Sequence, residues 1–220
     1  MGGGKPVVLV GASFGGPITR YFTAGHRGLV AGLVLVDPSG DDQTARFAAV
    51  VPSSSRTAPS GEGHRACIAL LEKSWPAQGT REFQQCLGFS PADAPAALLD
   101  HALRERGPSA HRTALAELTY FEDGTDARQG ASVRKSLGDL PLIVLSGTPT
   151  FEPELTAQEK AALIKLWRTM HWEDAQLSTQ GRRRFVEGAG HNIQIDKPDD
   201  VIAAVVDVVT EARSRESAQR

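Results

Sequence analysis

The chain has 220 residues, with 24 Lys and Arg against 26 Asp and Glu and a formal net charge of −2 at pH 7. This length suffices for one domain with a full core, or for a core with a small additional unit. The near balance of charge, without a basic stretch interleaved with aromatic residues, argues against nucleic acid as a partner. No apolar run reaches the roughly 20 residues that cross a bilayer, so we expect no membrane span. We expect no signal peptide in the few residues before the first predicted strand, because that stretch is too short for one.

The first predicted strand, Val7–Val10, runs directly into the sequence Gly11-Ala12-Ser13-Phe14-Gly15. A strand that turns into a helix at the serine of Gly-x-Ser-x-Gly is typical of a nucleophile elbow. We expect the flanking glycines to be needed because side chains there would collide with the strand and the helix. The alternative is a Gly-rich turn that binds phosphate, but the residues that phosphate and dinucleotide loops require are absent.

The next elements indicate parallel strands. The elbow helix is predicted over about 16–24, and the second strand, Leu33–Val36, ends at Asp37. A strand, a helix and a strand in so short a span predict a βαβ unit. From 41 to 138 the pattern changes to helical segments separated by Pro, Gly and Ser, which predicts a helical cap or lid. The predicted helices there are 43–50, 64–74, 80–87, 92–106 and 109–121.

Strand character returns at Leu140–Leu145, and Leu155–Met170 follows as an amphipathic helix. The last predicted strand is 184–187, and Pro198 opens a final helix that we expect to fray after Thr210. Residues 1–40 and 139–220 are thus predicted to form an α/β core with a mostly parallel sheet flanked by helices.

Two cysteines, Cys67 and Cys86, lie in predicted helices of the insertion. A disulfide between them and two buried free thiols are equally compatible with this pattern. The sequence therefore leaves both the pairing and the compartment open.

A serine needs a base within hydrogen-bond reach to become a nucleophile, and the base needs an orienting acid. Among six histidines, His191 follows the last predicted strand, on the sheet edge where Ser13 emerges. We predict that His191 is the base. His26 follows the elbow helix in a polar turn. The others lie in or beside helices, which favours surface or lid-packing roles: His64, His101, His111 and His171.

The acid has two candidates. Asp37 ends the strand next to the one that carries Ser13, and parallel strands bring both side chains to one edge. An imidazole between them could contact both, although Asp37 could instead cap the turn that follows it. The loop after the third strand contains no aspartate, and Glu152 is the nearest carboxylate there. We predict Asp37 as the acid and keep Glu152 as the alternative.

Taken together, these pieces resemble the α/β-hydrolase fold superfamily. The matching segments are VVLVGASFGG, VAGLVLVDPS, LPLIVLSG and FVEGAGHNIQIDKPDDVIAAV. The chain order of serine, acid and histidine is also that of the family. The resemblance implies Ser13 as the nucleophile, His191 as the base and the backbone N–H of Phe14 as an oxyanion donor. An acid after the second strand resembles some dehalogenases and lipases, but dehalogenases and epoxide hydrolases attack with an aspartate.

The chain departs from the family at its start. Family members usually have several strands before the elbow, whereas only ten residues precede Gly11 here. The resemblance then implies that the loop giving a second oxyanion donor is missing, which typically costs ~10²–10³ in turnover. It also leaves the first strand as an exposed edge that could self-associate. A truncated product, a fragment and a misplaced start codon each fit this departure.

These observations favour a serine hydrolase that cleaves an ester or related acyl bond of a small, partly apolar substrate. Such chemistry needs no metal and no organic cofactor. The alternative is a weakly active or inactive fragment that acts as a partner-binding half-domain. A C–C bond hydrolase or an acyltransferase with the same residues is a third reading, because a fold does not define its substrate.

Overall fold

The computed structural model describes residues 5–51, 61–87, 105–133, 136–148 and 155–218. Four strands form one parallel sheet in chain order: β1 (Val7–Ala12), β2 (Val30–Val36), β3 (Leu142–Ser146) and β4 (Gly181–Phe185). The described helices are α1 (Gly15–Gly25), α2 (Gln43–Val50), α3 (Glu62–Leu71), α4 (Arg81–Leu87), α5 (Pro108–Glu122), α6 (Thr125–Val133), α7 (Ala157–Ala175), α8 (Ile193–Asp196) and α9 (Pro198–Ala218). The predicted α/β class with a parallel sheet flanked by helices is confirmed.

The chain divides into two compact units, residues 1–55 with 124–220 and residues 56–123. The first unit contains the sheet with α1, α2 and α6 to α9, and the second contains α3, α4 and α5. Most of the predicted helix 92–106 lies outside the described residues, as does His101. The assignment of 41–138 as a cap over the sheet stays a prediction.

The two central strands, β2 and β3, are covered on both faces, as expected for a parallel sheet. Alternate side chains of these strands pack against α9 on one face: Val34, Val36, Ile143 and Leu145, with Ala204 and Val208. The opposite side chains form a second cluster that includes the end of α7: Leu33, Leu35, Leu142, Val144 and Ala175. This burial fixes the register of the sheet, because a shift by one residue would exchange the two faces.

The predicted position of the last strand was wrong. β4 is Gly181–Phe185 rather than 184–187, so a run of three arginines enters the sheet. These residues are accommodated because Arg184 donates to Asp207 of α9 at 2.6 Å, and Arg182 pairs with Glu211 one turn later. Arg182 and Arg184, at alternate positions of β4, therefore bind acidic side chains of α9.

The predicted fraying after Thr210 was also wrong, because α9 continues to Ala218. In this last part Arg215 donates to the Asp139 carboxylate at 2.7 Å, just ahead of β3. Its guanidinium also bonds the Asp139 backbone carbonyl. A polar segment that lacks an apolar face is thus held to the sheet by ionic contacts, which hydrophobic periodicity cannot reveal.

The elbow requires glycine at Gly11 and Gly16. A Cβ on Gly11 would lie 2.3 Å from the Gly15 carbonyl oxygen, and one on Gly16 would lie 2.4 Å from the Pro38 Cβ. At Gly15, the second glycine of the motif, an added Cβ has no atom within 4 Å. The expectation that both motif glycines avoid a collision is therefore wrong for Gly15. The close approach instead occurs one residue later, where α1 meets the turn after β2.

A buried charged cluster holds α1 against its neighbours. The Arg20 guanidinium donates to both carboxylate oxygens of Asp41, at 2.8 and 3.0 Å, and lies 3.1 Å from Asp174 of α7. Tyr21 donates to Asp41 at 3.0 Å. The carboxylate of Asp174 raises the pKa of Arg20 against the opposing effect of burial, so this cation stays charged. The cluster fixes the helix whose first turn follows Ser13.

In the second unit, Cys67 of α3 and Cys86 of α4 form a disulfide, with their Cα atoms 5.4 Å apart. This separation lies within the usual range for such bonds. The pairing resolves the alternative that the sequence left open.

The edge strand β1 is incompletely covered. Val7 and Val10 are 50% and 48% exposed, unlike the buried valines of β2. Among the described residues, no helix has the length and apolar character to cross a membrane.

Candidate active site

Ser13 lies in the turn between β1 and α1, with a positive φ of 50°. Three backbone bonds hold this turn: the Ser13 N–H donates to Val36 at 3.1 Å, and its carbonyl accepts from Gly16 at 2.9 Å and Ser39 at 3.0 Å. A left-handed conformation at a non-glycine residue costs roughly 1–3 kcal/mol and persists only where its surroundings enforce it. The result is a partly exposed hydroxyl at the carboxyl edge of the sheet.

His191 joins Ser13 to Asp37. Its Nε2 lies 2.9 Å from the Ser13 Oγ, and its Nδ1 lies 2.7 Å from the Asp37 Oδ2. Asp37 directly follows β2, and its N–H donates to Leu145 of β3 at 2.9 Å. The structure thus brings the three predicted side chains together at one sheet edge, although they are far apart in the chain.

The protonation pattern follows from the partners. An ionised carboxylate only accepts hydrogen bonds, so the His191 Nδ1 carries the proton that is donated to Asp37. The Nε2 then has a lone pair and accepts from the Ser13 hydroxyl. This tautomer can remove the serine proton, which is the function of a general base.

The electrostatics support this arrangement. The hydrogen bond to Asp37 raises the pKa of His191 above its ordinary value, and this effect exceeds the opposing effect of partial burial. The imidazole side chain is 40% exposed whereas Asp37 is fully buried. Asp37 therefore stabilises a proton on an imidazole that solvent and small molecules can reach.

Asp37 is itself held from its other side. Its Oδ1 accepts from the Gly147 N–H at 2.8 Å and from the Trp167 indole N–H at 3.1 Å. Like Ser13, Asp37 has a positive φ, of 44°. Both predicted site residues at strand ends are therefore in strained turns, a feature that clusters at functional sites.

A second pair of a serine and a histidine lies close to Asp37, near its Oδ1. The Ser146 Oγ is 2.7 Å from the His171 Nδ1, and the His171 Nε2 is 3.0 Å from the Pro38 carbonyl oxygen. Because a carbonyl only accepts, the Nε2 donates and the Nδ1 accepts from Ser146. The His171 Nδ1 is 3.9 Å from the Asp37 Oδ1, which is beyond a hydrogen bond.

This second pair is inaccessible. Ser146 and His171 are fully buried. Burial lowers the pKa of His171 from 6.5 to about 4, despite the nearby Asp37, so the imidazole is neutral. The expectation that His171 has a surface or lid-packing role was wrong, because it lies in the core and fixes the Asp37-Pro38 turn.

Of the remaining predicted residues, Phe14 is the N-cap residue of α1 and directly follows Ser13. Glu152, the alternative acid, lies outside the described residues. The contacts of Gly147, Trp167 and His171 to the Asp37 turn were not predicted from the sequence. The sequence signal for the last two is the spacing of four between Trp167 and His171, which places two hydrogen-bonding rings on the buried face of one helix. In the described part of the chain, no group of three or more His, Cys, Asp or Glu side chains could hold a metal ion.

Three solved structures illustrate the similarity of the fold. A mutant of a protein assigned as an epoxide hydrolase from Pseudomonas aeruginosa has a TM-score of 0.55 at 17% identity, covering 96% of this chain and 68% of that chain. A protein assigned as a hydrolytic enzyme from Pseudomonas aeruginosa PAO1 has a TM-score of 0.50 at 17% identity, covering 93% and 63%. A serine hydrolase involved in carbazole degradation has a TM-score of 0.50 at 15% identity, covering 96% and 66%.

The chain thus spans about two thirds of the length of these structures, from 63% to 68%. No curated protein matches the sequence significantly. The model of the Alpha/beta hydrolase family matches residues 2–205, which is nearly the whole chain. On this match and on the parallel sheet with its elbow, the chain belongs to the alpha/beta hydrolase family.

Proposed function

We propose that this protein is a serine hydrolase that cleaves an ester or related acyl bond. The observation that carries the proposal is a pair of hydrogen bonds that share the His191 imidazole. One joins its Nε2 to the Ser13 Oγ at 2.9 Å, and the other joins its Nδ1 to the Asp37 Oδ2 at 2.7 Å. Nucleophile, base and orienting acid in this order define the geometry of serine-dependent acyl transfer on several unrelated folds.

In the proposed reaction, the Ser13 Oγ attacks the substrate carbonyl while the His191 Nε2 accepts the hydroxyl proton. Asp37 stabilises the imidazolium that forms, consistent with the raised pKa of His191. The imidazolium then donates its proton to the leaving alcohol, and an acyl-enzyme remains on Ser13. Water then attacks the acyl carbonyl while the His191 Nε2 accepts a proton from it. The bond to the Ser13 Oγ breaks, the carboxylic acid is released, and the imidazolium returns the proton to Ser13. Only protein groups and water take part.

The oxyanion of the tetrahedral intermediate would form beside the start of α1. We assign the backbone N–H of Phe14, which follows the nucleophile, as one donor to it. The N-terminus of α1 adds a favourable partial positive charge at the same place. These contributions stabilise charge that develops only in the transition state, which is how such donors accelerate acyl transfer.

The substrate class is inferred from composition. The Leu, Ala and Phe content of residues 41–138, which we propose as a cap, favours a small substrate with an apolar portion. The similar structure named as a serine hydrolase agrees with the proposed reaction class but, at 15% identity, identifies no substrate.

The test is hydrolysis of p-nitrophenyl esters with acyl chains of increasing length. We expect turnover above background, with Ser13→Ala lowering kcat by about 10³-fold or more because the covalent path is lost. A folded protein that hydrolyses none of these esters, or a Ser13→Ala variant that keeps the wild-type rate, would contradict the proposal.

A second candidate function, binding of a partner through the sheet edge, is favoured by the exposure of Val7 and Val10 on β1. An apolar edge strand offers unpaired backbone groups to another chain, including a second copy of this protein. Inactivity of folded protein in the ester assay would favour this candidate over the hydrolase.

A further inference from the structure

The carboxylate of Asp37 is constrained at both oxygens. The Oδ2 contacts the His191 Nδ1 at 2.7 Å. The Oδ1 accepts from the Gly147 N–H at 2.8 Å and from the Trp167 Nε1–H at 3.1 Å. Asp37 is fully buried and Trp167 nearly so, which excludes water from competing for these bonds.

The two donors at Oδ1 determine the orientation of the carboxylate. The terminal torsion of an aspartate is broad, and rotation about it would turn Oδ2 away from His191. Hydrogen bonds to charged groups are stronger than neutral ones, so two of them at one oxygen resist this rotation. Of the two donors, the backbone N–H of Gly147 is removed only by proline, which does not fit because a Cβ there would lie 2.1 Å from the Gly190 carbonyl oxygen. The indole N–H can be removed by substitution.

The indole of Trp167 is well placed to hold the Asp37 carboxylate in one orientation. Its ring packs edge-on against His171, with centroids 4.7 Å apart, and in a tilted arrangement against Phe47, with centroids 5.9 Å apart. Its centroid also lies 6.2 Å from that of the His191 ring, in an edge-to-face arrangement. The ring is therefore held between fixed neighbours and contacts both the acid and the surroundings of the base.

We propose that Trp167 is a positioning residue, whose indole N–H fixes the Asp37 carboxylate so that its Oδ2 orients His191 toward Ser13. The inference rests on the proposed function for its catalytic consequence. The effect on the His191 imidazole follows from the geometry alone and needs no substrate.

The test compares Trp167→Phe with Trp172→Phe. Phenylalanine keeps an aromatic ring and removes the N–H. Trp172 lies on the same helix but is 54% exposed, so its variant controls for loss of a tryptophan from α7. A second variant with benzothienylalanine in place of Trp167 keeps the ring size and lacks only the N–H donor. It serves where Trp167→Phe folds poorly.

Two quantities are measured, the pKa of His191 by NMR titration of its ring and the steady-state kinetics on the best ester. The ring signal is assigned by its absence in His191→Gln. We expect the Trp167 variants to lower the pKa of His191 toward its ordinary value, because the acid, held at Oδ1 by Gly147 alone, rotates away more readily. We also expect kcat to fall by about 10- to 100-fold with KM nearly unchanged, since the loss concerns the reacting groups. Trp172→Phe should change neither quantity.

An unchanged His191 titration in folded Trp167 variants would overturn the inference, as would an equal effect of Trp172→Phe. If no variant and no wild-type protein hydrolyses esters, the proposed function fails. The NMR titration still decides the positioning inference in that case, so the two failures are distinguishable.

Discussion

Asp37→Asn is expected to lower kcat by about 10⁴-fold while the protein stays folded, a magnitude typical of this change in serine-dependent triads. The amide oxygen can still accept from Gly147 and Trp167 at the Oδ1 position, at the distances of 2.8 and 3.1 Å seen for the carboxylate. The amide NH₂ then faces the His191 Nδ1 and donates to it. This reverses the tautomer, so the Nε2 carries a proton and cannot accept the one from Ser13.

The measurement is kcat on the best ester, with the unfolding temperature as a check of the fold. Glu152→Gln is the matched control, since it makes the same change at the alternative acid. We expect this control to keep the wild-type rate. An Asp37→Asn variant with most of its activity, together with an inactive Glu152→Gln variant, would show that the acid assignment is wrong.

His171 is expected to make the stability of the first unit depend on pH. Burial lowers its pKa from 6.5 to about 4, so between these values the unfolded chain binds a proton that the folded protein does not. Stability from this group is therefore fully present above pH 6.5 and is lost as the pH falls toward 4. The shift corresponds to about 3 kcal/mol in the free energy of unfolding.

Urea unfolding at several pH values across this window measures the effect. His171→Gln removes the titrating group while keeping polar atoms for Ser146 and Pro38, so the loss of stability on acidification should be smaller than in wild type by about 3 kcal/mol. His26→Gln, at an exposed position, should retain the wild-type dependence. Equal slopes for wild type and His171→Gln would contradict the assignment of a neutral buried imidazole.

The three residues brought together at the sheet edge could be predicted because Ser13 and Asp37 directly follow β1 and β2, and His191 lies in the loop after β4. Parallel strands release their chains at a common edge, so Ser13, Asp37 and His191 converge whatever the length of chain between them. The βαβ start and the continuous apolar runs of the strands were enough to place this edge. Their catalytic functions remain proposals.

The residues that hold the Asp37 turn, Trp167 and His171, could not be predicted in the same way. Trp167 lies on the apolar face of α7, and a pattern of buried residues does not distinguish an indole that only packs from one that also donates to a carboxylate. His171 fell beyond the predicted end of this helix at Met170, whereas α7 continues to Ala175. Its contact with Ser146 depends on tertiary geometry.

Ionic contacts explain the wrong bounds predicted for β4 and for the ordered part of α9. Neither the arginine run of β4 nor the polar end of α9 has a hydrophobic pattern. Both segments are held in regular structure by partners that are distant in sequence. One such pair joins Arg184 to Asp207, and another joins Arg215 to Asp139. The error at the elbow also comes from a tertiary contact. Only the packing of Pro38 reveals that Gly16, and not Gly15, needs to lack a side chain.

The central claim, that Ser13 is a nucleophile activated by His191, is tested most directly by labelling with a fluorophosphonate and locating the adduct by mass spectrometry. We predict a single adduct on Ser13 in the wild-type protein, its loss in Ser13→Ala and its retention in Ser146→Ala. An adduct on Ser146, or undiminished labelling of Ser13→Ala, would contradict the claim.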